Sequence, residues 1–159
     1  MSSIFIAGLI LLTAYFQAGI INDMRLLYLK PDLLFLINAL FSLLFCYNIA
    51  RVLIIGLFCG LAKDIFISGS VGLNCILFPV FSLLFSFVAR KIEIENIFVK
   101  ISVVAAGFLF YSLIIHGLML TNGLSVSWGV FLRILAVGVI FSAAGSYILW
   151  EYIINPSIK

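Results

Sequence analysis

The sequence predicts an all-α polytopic membrane protein, a bundle of six transmembrane helices that forms a single integral membrane domain over residues 1–159. Composition is the first observation: 65% of the residues are hydrophobic and only 9% are charged, and the mean hydropathy is +1.35. A soluble domain of this length could not bury so much apolar surface, so we expect lipid to cover it. The length also leaves no room for a separate soluble domain.

The second observation is the order of six apolar stretches along the chain. A span needs roughly 20 apolar residues to cross about 30 Å of hydrocarbon. Pro31 suits the first turn of the second helix, because its missing N–H would have no partner there in any case. A tight hairpin, marked only by Tyr47, Asn48 and Arg51, is expected between the second and third spans, since one continuous helix would be too long for the bilayer. The expected spans are 4–21, 33–50, 52–67, 71–89, 97–120 and 128–150.

The distribution of basic residues gives an orientation. Six spans put both termini on one side, and five basic residues on that side against four on the other favour cytoplasmic termini. We expect the first apolar stretch to be retained as a span, because no basic region or small-residue cleavage site accompanies it. The net charge of +3 is scattered, so no nucleic-acid partner is predicted. The two sets are Arg51, Arg90, Lys91, Lys100 and Lys159, and Arg25, Lys30, Lys63 and Arg133.

Polar residues recur at one depth in the predicted bundle. At about 1.5 Å per residue, each span carries one polar group within roughly 8 Å of the face opposite the termini. One interpretation is that shallow polar residues are simply tolerated near helix ends. The other is an inward-facing polar cluster in which Asp64 and Arg133 form an ion pair, since charges in membranes usually pair inside the bundle. The six residues are Gln17, Asn38, Asp64, Asn74, His116 and Arg133.

The third span contains a close-packing pattern and ends in a turn. Gly56 and Gly60 form a GxxxG, which permits close contact either with another helix of the chain or with another protein. Lys63 is a poor partner for Asp64, because adjacent residues of a helix do not face each other. The turn that follows contains Ser68, Gly69, Ser70 and Gly72, and its glycines permit positive φ.

The sequence predicts no enzyme activity and no cofactor. No nucleophile, base and oxyanion donor can be assembled, and the glycine-rich turn lacks a phosphate-binding pattern. His116 is joined by no second histidine or cysteine, so a hydrogen-bonded packing role is favoured over metal binding. The three cysteines are expected to pack as small apolar side chains and not to bind a metal. They are Cys46, Cys59 and Cys75.

Residues 30 to 90 resemble the rod shape-determining protein family MreD. The family shows a basic-Pro-Asp/Asn opening of the second span, a GxxxGxxxD end of the third span, and a Ser/Gly turn before the fourth. Lys63 departs from the family, which has an apolar neighbour beside the acid. The matching positions are Lys30, Pro31, Asp32, Gly56, Gly60, Asp64, Ser68, Gly69, Gly72 and Leu73.

The resemblance implies a non-enzymatic scaffold of the bacterial cytoplasmic (inner) membrane, required for rod shape and for peptidoglycan synthesis along the lateral wall. It implies MreC as the direct partner, in one assembly with the MreB filament, a RodA-type glycosyltransferase and a penicillin-binding transpeptidase. The motif residues Pro31, Asp32, Gly56, Gly60, Asp64, Gly69 and Gly72 would then serve packing and partner contact. The family is also similar in architecture to S components of energy-coupling-factor transporters. An S component that binds a vitamin-like molecule is therefore the alternative.

Overall fold

The computed structural model describes residues 3–21, 32–66, 72–91, 97–121 and 127–150. Within these ranges the chain is all-helical, as predicted, and contains no strand. The first helix continues into a short π-helical turn, Gln17–Ile21. The predicted roles of Pro31 and Gly69, and of the turn residues Ser68 and Ser70, lie outside the described residues. The six α-helices are α1 Ser3–Phe16, α2 Leu33–Leu44, α3 Ile49–Phe66, α4 Leu73–Lys91, α5 Ile97–Thr121 and α6 Trp128–Leu149.

Three of these helices identify a membrane protein. Helices α4 and α5, and α6 up to Ile148, are each long and apolar enough to cross a bilayer. The apolar segments Phe5–Gly19 and Leu33–Leu44 are shorter. Helix α3 has 18 residues and carries three charged side chains. Large apolar side chains are exposed on every helix except α2, as a lipid-covered surface requires.

The hairpin between α2 and α3 lies earlier than expected. Helix α2 ends at Leu44 instead of continuing to residue 50. Asn48 determines the start of α3, because its side-chain oxygen accepts a 3.2 Å hydrogen bond from the Arg51 backbone N–H. An asparagine that accepts from the third residue of a helix is a favourable N-cap. The turn therefore precedes Asn48, and Arg51 belongs to the first turn of α3.

Helix α2 lies at the centre of the bundle. Residues 34–43 are all buried, so this helix is covered on every face by its neighbours. The Phe35 ring stacks on the Tyr111 ring at a centroid distance of 4.9 Å. It also makes edge-to-face contacts with four other rings, a geometry that aromatic pairs prefer. These are the rings of Phe78, Phe81, Phe85 and Phe108.

The GxxxG of α3 packs within the chain, against α4. A Cβ on Gly56 would come within 2.9 Å of the Pro79 Cα. A Cβ on Gly60 would collide with the backbone of Asn74 and Cys75. Because both obstacles are backbone atoms, a side chain at either glycine would force the two helices apart. The structure therefore corresponds to the first of the two interpretations, internal packing of the third helix.

Candidate functional site: a buried charged network

The Asp64 carboxylate caps the N-terminus of α4. Its Oδ2 accepts hydrogen bonds from the backbone N–H groups of Gly72 at 2.9 Å and Cys75 at 3.0 Å. Its Oδ1 accepts from the Asn74 backbone N–H at 3.3 Å and from the Asn74 side-chain amide at 2.7 Å. Gly72 has φ = 104°, a conformation that glycine adopts without strain. A negative charge here also interacts favourably with the positive end of the helix dipole.

The Lys63 ammonium points to a different set of partners. It forms an ion pair with the Asp32 carboxylate and donates a 2.6 Å hydrogen bond to the Tyr111 hydroxyl. It also lies 4.6 Å from the Tyr111 ring centroid and 5.3 Å from that of Phe78, within range of cation–π attraction. Asp32 in turn caps α2 by accepting from the Phe35 N–H at 3.1 Å.

Tyr111 and Asn74 connect the two acids. The Tyr111 hydroxyl donates to Asn74 Oδ1 at 2.7 Å, and the Asn74 amide donates to Asp64. A continuous path therefore runs through five residues, which we call the buried charged network: Asp32, Lys63, Tyr111, Asn74 and Asp64. It joins the residue preceding α2 to α3, α4 and α5.

Because the network is buried, loss of any one of its members should lower the stability of the protein. Lys63 is 9% exposed, Asp64 4% and Asn74 2%. An ion removed from water costs several kcal/mol unless charges and hydrogen bonds compensate it. Asp32 is compensated by the Lys63 charge and by the Phe35 N–H, and Asp64 by the N–H groups of α4 and the Asn74 amide. The consequence is that removal of one member leaves its partner buried with an incomplete set of bonds.

Two further groups of polar contacts lie along α4, one at Asn38 of α2 and one at Cys46 in the turn after α2. The Asn38 amide donates to the Phe78 carbonyl at 3.3 Å, and the Ser82 hydroxyl donates to Asn38 Oδ1 at 2.7 Å. Farther along, the Cys46 carbonyl accepts from the Ser86 hydroxyl at 2.7 Å. Arg90 donates to the same carbonyl through Nε at 2.6 Å and through Nη2.

The structure gives the six residues predicted at one depth different surroundings. Asp64 and Asn74 are joined directly, as described above. Gln17, in the π-helical turn, accepts a 3.1 Å hydrogen bond from the Leu34 N–H and so helps to cap α2. Asn38 bonds to α4 instead. His116 stacks on Phe131 at a centroid distance of 3.9 Å, as a packing role requires. The expected hydrogen bond is not formed at its buried Nε2, which has no hydrogen-bond partner among the described residues.

The predicted ion pair between Asp64 and Arg133 is not formed in the described part of the chain. Arg133 is exposed on α6, whereas Asp64 is buried against the start of α4. The depth expected for the two residues follows only from their positions along the helix axes. Depth carries no information about which side of α6 faces the bundle, and that side was decided by packing of α6 on α5.

Sequence reasoning missed Lys63 and Tyr111 as network members. Lys63 was rejected as a partner of Asp64 because adjacent residues point in different directions. The same geometry lets two neighbouring charges reach two different helices, and this was the available signal. A separate signal indicates the contacts of α4 with Asn38 and Cys46: the polar residues of α4 recur every four residues toward its C-terminus and so share one face. They are Ser82, Ser86 and Arg90.

The network supplies structural connections between helices. Within the described ranges, no three His, Cys, Asp or Glu side chains converge as metal ligands would. Comparison of the chain with protein-family profiles, characterised proteins and solved structures found no match.

Proposed function

We propose that this protein is a non-enzymatic membrane scaffold, a small bundle whose function is to hold other membrane proteins together. More specifically, we propose an MreD-like role in the bacterial elongation machinery, in support of rod shape and lateral peptidoglycan synthesis. The direct partner would be MreC. The MreB filament, a RodA-type glycosyltransferase and a penicillin-binding transpeptidase would belong to the same assembly.

The observation that carries this proposal is the convergence of the residues that resemble the family. Asp32 pairs with Lys63, Asp64 caps α4, and Gly60 brings α3 against Asn74 and Cys75. Asp32 lies 31 positions before Lys63 in the chain, yet it meets the end of α3 in one junction at the N-terminal ends of α2 and α4. The polar groups of this motif bond to one another and fix the relative positions of the helices. This favours a protein that binds its partners through the outer surface of the bundle.

We further propose that the bundle crosses the membrane six times, with both termini in the cytoplasm. Helix α2 has 12 residues, which extend only about 18 Å at 1.5 Å per residue. Its length does not argue against a crossing, because α2 is enclosed by other helices rather than by lipid. Irregular backbone at membrane depth is tolerated where protein covers it, and the carbonyl of Cys46 in the following turn is bonded to Ser86 and Arg90.

The test is affinity purification of the tagged protein from native membranes in mild detergent, with mass spectrometry of the proteins recovered. We expect MreC and wall-elongation enzymes. The control is an equally tagged, unrelated multi-pass protein expressed at the same level and purified in parallel. Recovery of the same proteins with both baits, or of no elongation protein with either, would contradict the proposal.

An S component of an energy-coupling-factor transporter is the second candidate. Two acids, a lysine, a tyrosine and an asparagine from separate segments meet at one end of the bundle, as the polar groups of a ligand site would. Their hydrogen bonds to one another favour the structural role instead. Recovery of a transporter ATPase pair, or of a stoichiometric vitamin-like molecule in the same purification, would establish this second function.

A further inference from the structure

Arg133 is an exposed charge on an otherwise apolar side of α6. Leu132 is 57% exposed and Ile140 68% exposed on the same helix, and Ala136 is exposed between them. Among the described residues Arg133 takes part in no ion pair. A guanidinium that faces hydrocarbon is costly, so it must reach either the interface or an anion.

The geometry of α6 directs Arg133 toward the interface. Side chains of a helix lean toward its N-terminus, and Arg133 lies five residues after Trp128, the first residue of α6. That separation is roughly 7.5 Å along the axis, which an arginine side chain can cover. One turn before Arg133 stands Gly129, which is exposed and where a Cβ would meet nothing within 4 Å. The path of the arginine is therefore open.

Trp128 marks the level along the axis of α6 at which this path ends. Its indole is 64% exposed and is held by edge-to-face contacts with His116 at 5.2 Å and Phe131 at 6.0 Å. Tryptophan is enriched at the level of lipid headgroups. A fixed, exposed indole at the start of α6 thus locates the membrane interface within reach of the guanidinium.

We propose that Arg133, Gly129 and Trp128 form a binding site for the headgroup of an anionic phospholipid, in the leaflet at the N-terminal end of α6. The arginine binds the phosphate through paired N–H donors, and the absent side chain of Gly129 leaves space for it. The tryptophan ring packs beside the glycerol region. A carboxylate on a partner helix is less favoured, because the side chain leans toward the interface and away from the membrane interior.

The experiment measures which lipid lies next to Trp128. The chain has two tryptophans, so Trp150→Phe leaves Trp128 as the single reporter. The protein is reconstituted in phosphatidylcholine vesicles that contain either dibrominated phosphatidylglycerol or dibrominated phosphatidylcholine, and quenching is compared. We expect about a fivefold local preference for phosphatidylglycerol, the factor that corresponds to about 1 kcal/mol for one basic residue near an anionic surface.

Variants separate this site from general membrane contact. Arg133→Gln should reduce the preference to about that of the bulk lipid, and Arg133→Lys should retain part of it because the charge remains. Gly129→Leu should also reduce the preference, since it fills the space without altering charge. The matched control is Gly117→Leu, an exposed glycine of α5 whose Cβ would also meet nothing within 4 Å.

Three results would overturn the proposal. The first is equal quenching by the two brominated lipids in the Trp150→Phe protein. The second is an unchanged preference in Arg133→Gln. The third is protection of Trp128 from both lipids, which would show that a partner helix or a second copy of the chain covers this face.

Discussion

The side-chain amide of Asn74 donates a 2.7 Å hydrogen bond to Asp64 Oδ1 and thereby ties the first turn of α4 to the last turns of α3. The same asparagine accepts a hydrogen bond from Tyr111 of α5. Asn74 therefore connects the cap of α4 to the Lys63–Asp32 ion pair through hydrogen bonds. Substitutions at the residues bonded to Asn74 should therefore alter the packing of α3, α4 and α5.

Asp64→Ala should destabilise the protein by about 2 kcal/mol or more, because it removes the acceptor of three backbone N–H groups and of the Asn74 amide. The measurement is the free energy of unfolding in mixed micelles. Asp64→Asn retains one side-chain oxygen and should lose less. Equal stability of Asp64→Ala and the unmodified protein would contradict the role of this carboxylate as a cap.

Lys63→Met and Asp32→Asn should show coupled effects on stability. Asparagine at position 32 keeps the cap of α2 while it removes the negative charge. The two substitutions therefore report on the ion pair and not on the cap. Each single change leaves a buried charge without its opposite and should cost roughly 3 kcal/mol. The double variant should lose clearly less than the sum of the two. Additive losses in unfolding free energy would show that the two charges do not stabilise one another.

Gly60→Ala should cost about 1–3 kcal/mol, because the new Cβ meets backbone atoms of Asn74 and Cys75, which cannot rotate away. Gly8→Ala is the matched control. Gly8 is an exposed glycine of α1 with open space around a built Cβ, and alanine favours the helix at such a site. The comparison uses thermal unfolding of both variants in the same detergent. If both alanines were tolerated equally, the close approach of α3 and α4 would be incidental.

Arg90→Met should loosen the turn between α2 and α3. The change removes two hydrogen bonds to the Cys46 carbonyl, and hydrogen bonds from charged groups contribute about 1.5–3 kcal/mol. We expect amide hydrogen exchange in residues 45–48 to accelerate about tenfold or more. Lys91→Met is the control, since Lys91 lies over the Phe87 ring at 4.8 Å and does not reach the turn. Unchanged exchange in Arg90→Met would exclude this anchoring role.

The helical class and most helix positions could be predicted from the sequence because they depend on local quantities. Apolar runs such as 97–120 and 128–150 report burial in lipid directly, and α5 and α6 begin and end within one residue of the predicted bounds. The boundary between α2 and α3 was less accurate. There the sequence is apolar on both sides, and a single cap at Asn48 together with the contacts of Cys46 decides where the chain turns.

The network was predicted only in part. Asp64 and Asn74 were recognised as polar residues at one depth, since depth follows from sequence position along a helix. The contacts of Lys63 with Asp32 and Tyr111 were not predicted, because the direction of a side chain around the helix axis depends on which neighbours pack against it. Lys63 therefore pairs with Asp32, 31 positions earlier in the chain, and Arg133 faces outward on α6.

The sequence by itself thus determined that this chain is helical, apolar enough for a membrane, and marked by charges near the ends of its helices. Tertiary structure decided which of those charges meet. The physical reason is that hydrophobic burial depends on composition and on the spacing of apolar residues along the sequence. An ion pair or a helix cap, in contrast, requires atoms within about 3 Å of each other. Only the packing of α3 against α2 and α4, with Gly56 and Gly60 allowing the close approach to α4, brings these atoms to that distance.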